Sequence, residues 1–143
     1  MIEVSIDRAS LALTPLVITG NPFASGLHIP EDAITWPHFD TRREYAPDSK
    51  WASGRTLLAA VQDAAELPLT IYAHGADGAA LAASKAELEA ALAQWSYSLT
   101  LTVDSVAHVY NAEIVLGVPW GPIDSGMVAA RMARTSFSIP LNP

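Results

Sequence analysis

Leu67-Pro68-Leu69-Thr70-Ile71-Tyr72-Ala73, then His74-Gly75-Ala76-Asp77-Gly78, then Ala79 to Trp95, then Tyr97-Ser98-Leu99-Thr100-Leu101-Thr102-Val103 read as strand, turn, helix and strand. The first run is short, apolar and rich in strand formers. Between residues 79 and 95, Leu81, Lys85, Leu88, Leu92 and Trp95 stand at i, i+4, i+7, i+11 and i+14. That is one face of a helix, with the Lys85 stem able to cover apolar surface. Asp77 can cap this helix, and Ser84 with Glu87 three residues later also fits a capping box. Residues 97–103 alternate apolar and polar without a break, so one face is buried and the other wet.

Outward from this unit, the rest of the chain supplies strands. Ile2 to Ile6 alternates and predicts a first strand. Leu11 to Ile18 predicts a second, placed at an edge or bulged at Pro15 because proline removes a ladder donor. A strand runs from Gly54 to about Asp63, although Ala59, Ala60, Ala64 and Ala65 leave a helix open there. Asp104-Ser105 is a tight turn into a strand from Val106 to Leu116. Met127 to Ile139 is the last strand. Its apolar residues change phase between Met132 and Phe137, which predicts a bulge near Ala133 to Ser136. The expected architecture is mainly β (α+β): a β-sandwich or barrel-like sheet with one flanking helix at about 79–95, in a single domain over 1–143.

Residues 21–54 differ in character. They hold Pro22, Pro30, Pro37 and Pro47 together with Phe23, Trp36, Phe39, Tyr45 and Trp51. A flexible linker would not carry so many aromatics, and a long structureless loop in a compact domain is usually functional. The stretch reads as an arm, with a short strand at Ala33 to Trp36, that packs either on a neighbour or on its own core. Residues 117–126 form a second loop dense in Gly and Pro.

At 143 residues the chain can bury a substantial core. Half its residues are apolar and the net charge is −7. No apolar run reaches the roughly 20 residues of a membrane span, and the N-terminus reads as no secretory signal. With no cysteine, disulfides and thiolate-bound metal are excluded. The eight basic residues form no stripe, which argues against tight nucleic-acid binding.

No motif points to catalysis. His28, His38, His74 and His108 show none of the usual metal spacings, and His38-Phe39-Asp40 is the nearest approach to a ligand pair. An enzyme would need His38, Asp40 and His108 to converge in one pocket. The serines make no nucleophile elbow. Gly75 to Gly78 lacks a phosphate-loop pattern and reads as a capped turn. Trp95 reads as core. Trp51 and Trp120 fit an interface or, as an alternative, a sugar-stacking site. No catalytic residue, metal or cofactor is expected. The candidate subunit or partner contacts are Trp36, Phe39, Arg42, Arg43, Tyr45 and Trp51 in the arm and Trp120 in the late loop.

Over about residues 53–143, the order of Gly54-Arg55-Thr56-Leu57-Leu58, the 67–73 strand, the Ala/Glu/Leu helix, Tyr97 to Val103 and a final strand closing in Phe137-Ser138-Ile139-Pro140-Leu141 resembles the ring-forming N-terminal domain of distal tail and minor tail proteins of long-tailed bacteriophages. The Trp36-Pro37 and Arg42-Arg43-Glu44-Tyr45-Ala46-Pro47-Asp48 stretches resemble those proteins in phages of actinobacteria. The resemblance implies a β-sandwich with a flanking helix, assembled as a ring, commonly a hexamer, that joins the tail tube to the tip or baseplate. It implies partners in the neighbouring tail-tube and tail-tip proteins and a place in the virion after assembly in the host cytoplasm. Tail-tube and tail-terminator subunits are near alternatives, and a small carbohydrate-binding β-domain is the alternative from another class. If acidic residues face the lumen, the net negative charge suits a channel that DNA passes without sticking.

Overall fold

The computed structural model describes residues 1–30, 34–46 and 57–143. Along the chain, β1 (Ile2–Ile6) is followed by a 3-10 turn at Ala9–Leu11, β2 (Leu16–Thr19) and β3 (Leu27–His28). Then come β4 (Thr41–Tyr45), β5 (Leu57–Gln62) and β6 (Ala65–His74). Helix α1 (Gly78–Leu92), β7 (Ser96–Val103), β8 (Val106–Glu113), α2 (Ser125–Ala130) and β9 (Met132–Asn142) complete it. Seven strands close a barrel in the order β1-β2-β3-β6-β9-β8-β7, and β7 pairs back onto β1. Strands β4 and β5 form a separate two-stranded sheet.

The barrel interior is the core, because strand side chains alternate between its two faces. On β6, Ala65, Leu67, Leu69, Ile71 and Ala73 point in; on β7, Tyr97, Leu99 and Leu101 do. Val4, Ile6, Leu16, Ile18, Ile139 and Leu141 fill the remaining volume. The longest ladder joins β6 to β9 in ten uninterrupted pairs from Ala65↔Leu141 to His74↔Met132. The bulge expected near Ala133 to Ser136 is therefore not there. The change of apolar phase comes from a change of element: residues 125–130 are helical. Asp124 caps α2 by accepting the Met127 N–H at 2.7 Å, and Arg131 ends it in the left-handed region at φ 52°. From Met132 onward the strand keeps one phase.

Helix α1 starts at Asp77, whose carboxylate accepts the Ala80 N–H at 2.8 Å; Ser84 instead donates to the carbonyls of His74 and Ala80. Gly75 lets the chain turn this closely, since a Cβ there would strike the backbone nitrogen of Leu81. The helix spans from the end of β6 to the end of β1. Leu88, Ala91 and Leu92 are fully buried in the barrel core. At its far end the buried Gln94 amide donates to the carbonyls of Ala91 and Asp7 at 2.9 and 2.8 Å. Arg8, itself buried, donates to the Thr14 carbonyl and to Glu87 at 3.0 Å. Because the helix stops at Leu92, the +14 position leaves its period. Trp95 is 82% exposed rather than core.

Three further expectations are corrected. The second strand begins at Leu16, after Pro15, because Ala9–Leu11 winds into a 3-10 turn and Ala12 takes φ 55°. Strand β8 ends at Glu113, and Leu116 is 72% exposed, because Val115 turns off to donate to the last carbonyl of α1, that of Leu92, at 2.8 Å. Within the arm, Ile34 to Trp36 is not a strand; Ala33 lies outside the described residues. Leu27 and Ile29, on the other hand, are barrel core, and β3 bridges β2 and β6.

Two polar features of the barrel generate tests. The Tyr97 hydroxyl is buried with no hydrogen-bond partner among the described residues, and burial drives its pKa upward. Such a group contributes a desolvation cost of about 1–3 kcal/mol. Tyr97→Phe is expected to leave stability unchanged or raise it by about 1 kcal/mol in urea unfolding. At the β3 seam, His28 stacks on Tyr72 at 5.2 Å and meets His74 at 5.2 Å between ring centroids. Burial first, and then the His74 charge, lower the His28 pKa. The unfolded chain therefore binds the extra proton more readily, and stability falls as pH drops below about 6.5, the ordinary histidine value. Thermal melts of wild type and His28→Gln between pH 7.5 and 5 should show a steeper loss for wild type.

Candidate functional site: an exposed basic hairpin

The connection from β3 to β6 leaves the barrel and returns to it. On the way out it is tied down by aromatic contacts. Ile34 and Phe39 pack against the core, Phe39 stacks on Tyr110 at 6.1 Å, and Trp36 sets its edge against His108 at 4.9 Å. On the way back, the Asp63 N–H donates to the Asp40 carbonyl at 2.8 Å. Between these anchors stands the β4–β5 hairpin.

Its register pairs Thr41↔Gln62, Arg42↔Val61, Arg43↔Ala60, Glu44↔Ala59 and Tyr45↔Leu57, with an irregularity at Glu44/Tyr45 that leaves Leu58 as the extra residue. Residues directly opposite share a face, so one face carries Arg42, Glu44, Val61 and Ala59. The other carries Thr41, Arg43, Tyr45, Gln62, Ala60 and Leu57. Every residue of both strands except Ala59 is exposed. Leu57, Leu58 and Val61 are 50%, 65% and 45% exposed. An isolated two-stranded ribbon is marginal in water, and its open edges template further pairing. Apolar side chains on both faces add a surface that calls for cover.

Charge separates the hairpin from the body. Residues 41–62 hold Arg42, Arg43, Lys50 and Arg55 against Glu44 and Asp48, a net +2. Four of the chain's eight cations thus lie in this one excursion, and the remainder carries −9.

Of the residues singled out in the sequence, Arg42, Arg43 and Tyr45 come together on this hairpin. Trp36 and Phe39 form its root on the same chain, so this part of the arm packs on its own core. Trp51 lies outside the described residues. Trp120 belongs elsewhere: it bridges Thr135 on β9, its indole N–H donates to Glu89 at 2.6 Å, and the Lys85 ammonium stands 5.2 Å from its ring centre. The exposed Leu57, Leu58 and Val61 were not legible as contacts, because an apolar run reads the same in sequence whether covered or not. His38 and Asp40 pair at 3.1 Å in the open, whereas His108 sits against Trp36. Among the described residues no three His, Asp or Glu side chains are grouped as metal ligands. Among the described residues no helix is long and apolar enough to cross a membrane.

Comparison with protein-family models and with curated proteins finds no match to this chain.

The root contacts yield a direct test. Phe39→Ala removes the ring that stacks on Tyr110 and should loosen the hairpin without opening the barrel. Trypsin cleavage after Arg42 and Arg43 is expected to quicken severalfold while the far-ultraviolet circular dichroism melt changes little.

Proposed function

We propose that this protein is a non-enzymatic structural subunit of a bacteriophage tail, forming a homomeric ring, hexameric by the resemblance noted above, that joins the tail tube to the tip or baseplate. The observation that carries the reading is the exposed, basic, partly apolar β4–β5 hairpin standing clear of an acidic barrel. Cyclic assembly by head-to-tail contacts needs two different, complementary patches on each subunit. Arg42 and Arg43 on the hairpin and the net-acidic remainder of the chain supply opposite charge, and Leu57, Leu58 and Val61 supply apolar area to bury. Opposite charges also favour the encounter of copies and fix their register. A tail-tube or tail-terminator subunit would use the same contacts at another level of the tail.

The sugar-binding alternative loses one of its two tryptophans, since Trp120 already engages Glu89 through its N–H and Lys85 over its ring. An acidic lumen remains part of the proposal: carboxylates facing the channel would repel passing DNA.

Light scattering of the purified chain at low salt, followed by negative-stain imaging, tests the reading. Multiples of 15.2 kDa and annular particles are expected. Arg42→Glu/Arg43→Glu should shift the mass to a single chain with an unchanged dichroism spectrum, and salt near 1 M should weaken assembly because screening shortens the reach of charge. A wild-type chain that stays at 15.2 kDa at high concentration and low salt overturns the proposal.

A further inference from the structure

Between α1, the 120–123 loop, α2 and the start of β9 lies a cleft of about 370 Å³. That volume falls in the range of small-molecule sites, which are concave, mostly apolar and carry a few convergent polar groups. Its walls are Leu81, Trp120, Ile123, Met127, Val128 and Met132, with Lys85 and Arg131 also lining it. Among the described residues no carboxylate lines it, in a chain with 15 acids and eight bases. The two cations are held in place. Lys85 stands over the Trp120 ring, and the Arg131 guanidinium donates to the Ala76 carbonyl. Among the described residues neither forms an ion pair. Arg131 also occupies a left-handed helix-terminating position, φ 52°, where glycine is the usual residue.

From this geometry we infer that the cleft between α1 and α2 binds a small organic anion, a single carboxylate on a compact apolar body. The body lies on Leu81, Ile123, Met127 and Val128, and the carboxylate faces Lys85 and Arg131. A lysine and an arginine on the walls of an otherwise apolar cleft supply charge-assisted donors to an acid. A cationic ligand would meet like charge, and a neutral ligand would form no charge-assisted pair with either cation. The site shares no residue with the hairpin, so it stands or falls independently of ring assembly.

The probes are 2-naphthoate, its neutral isostere 2-naphthamide and the cation 2-naphthylmethylammonium. Each is titrated into the isotope-labelled full chain and followed by methyl and amide NMR. Naphthoate is expected to shift the methyls of Leu81, Ile123, Met127 and Val128 saturably and to bind at least tenfold more tightly than the amide. The cation should not bind. Lys85→Gln/Arg131→Gln should weaken naphthoate at least tenfold and leave 2-naphthamide unaffected, with amide spectra elsewhere unchanged. Should that double variant misfold, Val128→Asp, at an exposed wall position, is the second test and must also abolish naphthoate binding. Equal affinity for naphthoate and the amide, shifts scattered over the surface, or no saturable shift would overturn the inference.

Discussion

Seven is an odd number, and that constrains this barrel more than any single contact. A closed ring of strands can alternate direction throughout only when their number is even. With seven, one neighbouring pair must run parallel. Here it is β2 and β3, joined at Thr19↔His28 and by the Ile29 N–H donating to the Thr19 carbonyl. Every other seam is antiparallel. The parity defect falls on the shortest strand, where few ladder bonds are at stake. The β8–β9 seam, farther round the barrel, is also brief, with two pairs, Asn111↔Asn142 and Ala112↔Leu141. The burden of order therefore rests on the long β6–β9 ladder and on α1, whose Leu88, Ala91 and Leu92 complete the core across one end.

The same arrangement explains the buried polar groups near that end. A helix laid over strand ends leaves backbone carbonyls facing side chains instead of ladder partners. Gln94 satisfies Ala91 and Asp7, Arg8 satisfies Thr14, and Ser84 satisfies His74. Unpaired carbonyls in a dry interior would cost several times what a surface bond contributes. The α1 unit is thus fastened to β1 and β6 by hydrogen bonds as well as by packing.

What could be read from the chain follows element length. The 15 residues of α1, the alternation of β1 and β7, the apolar strand-forming run of β6, and the mainly β class with a flanking helix were all legible, because each spans enough residues to show its pattern. β3 has two residues and no period, so its Leu27 and the adjacent Ile29 were indistinguishable from loop. The six-residue α2 completes less than two turns, and its apolar Val128 and Ala130 fell in step with Met132 as if all three belonged to one strand. Trp95 misled for a related reason: the helical ladder is extrapolated past a terminus at Leu92 that no glycine or proline marks. Of the hairpin, the basic and aromatic residues were visible in sequence, whereas their lack of cover is a fact of three dimensions.

One consequence follows from where the hairpin is inserted. The β4–β5 ribbon closes at its own root, where the Asp63 N–H donates to the Asp40 carbonyl, so the hairpin is a detour whose ends already touch. Lengthening, trimming or replacing the ribbon at the tip of that detour alters no barrel register. The molecule separates a closed chassis from an appended module whose length and surface can change at little cost to folding.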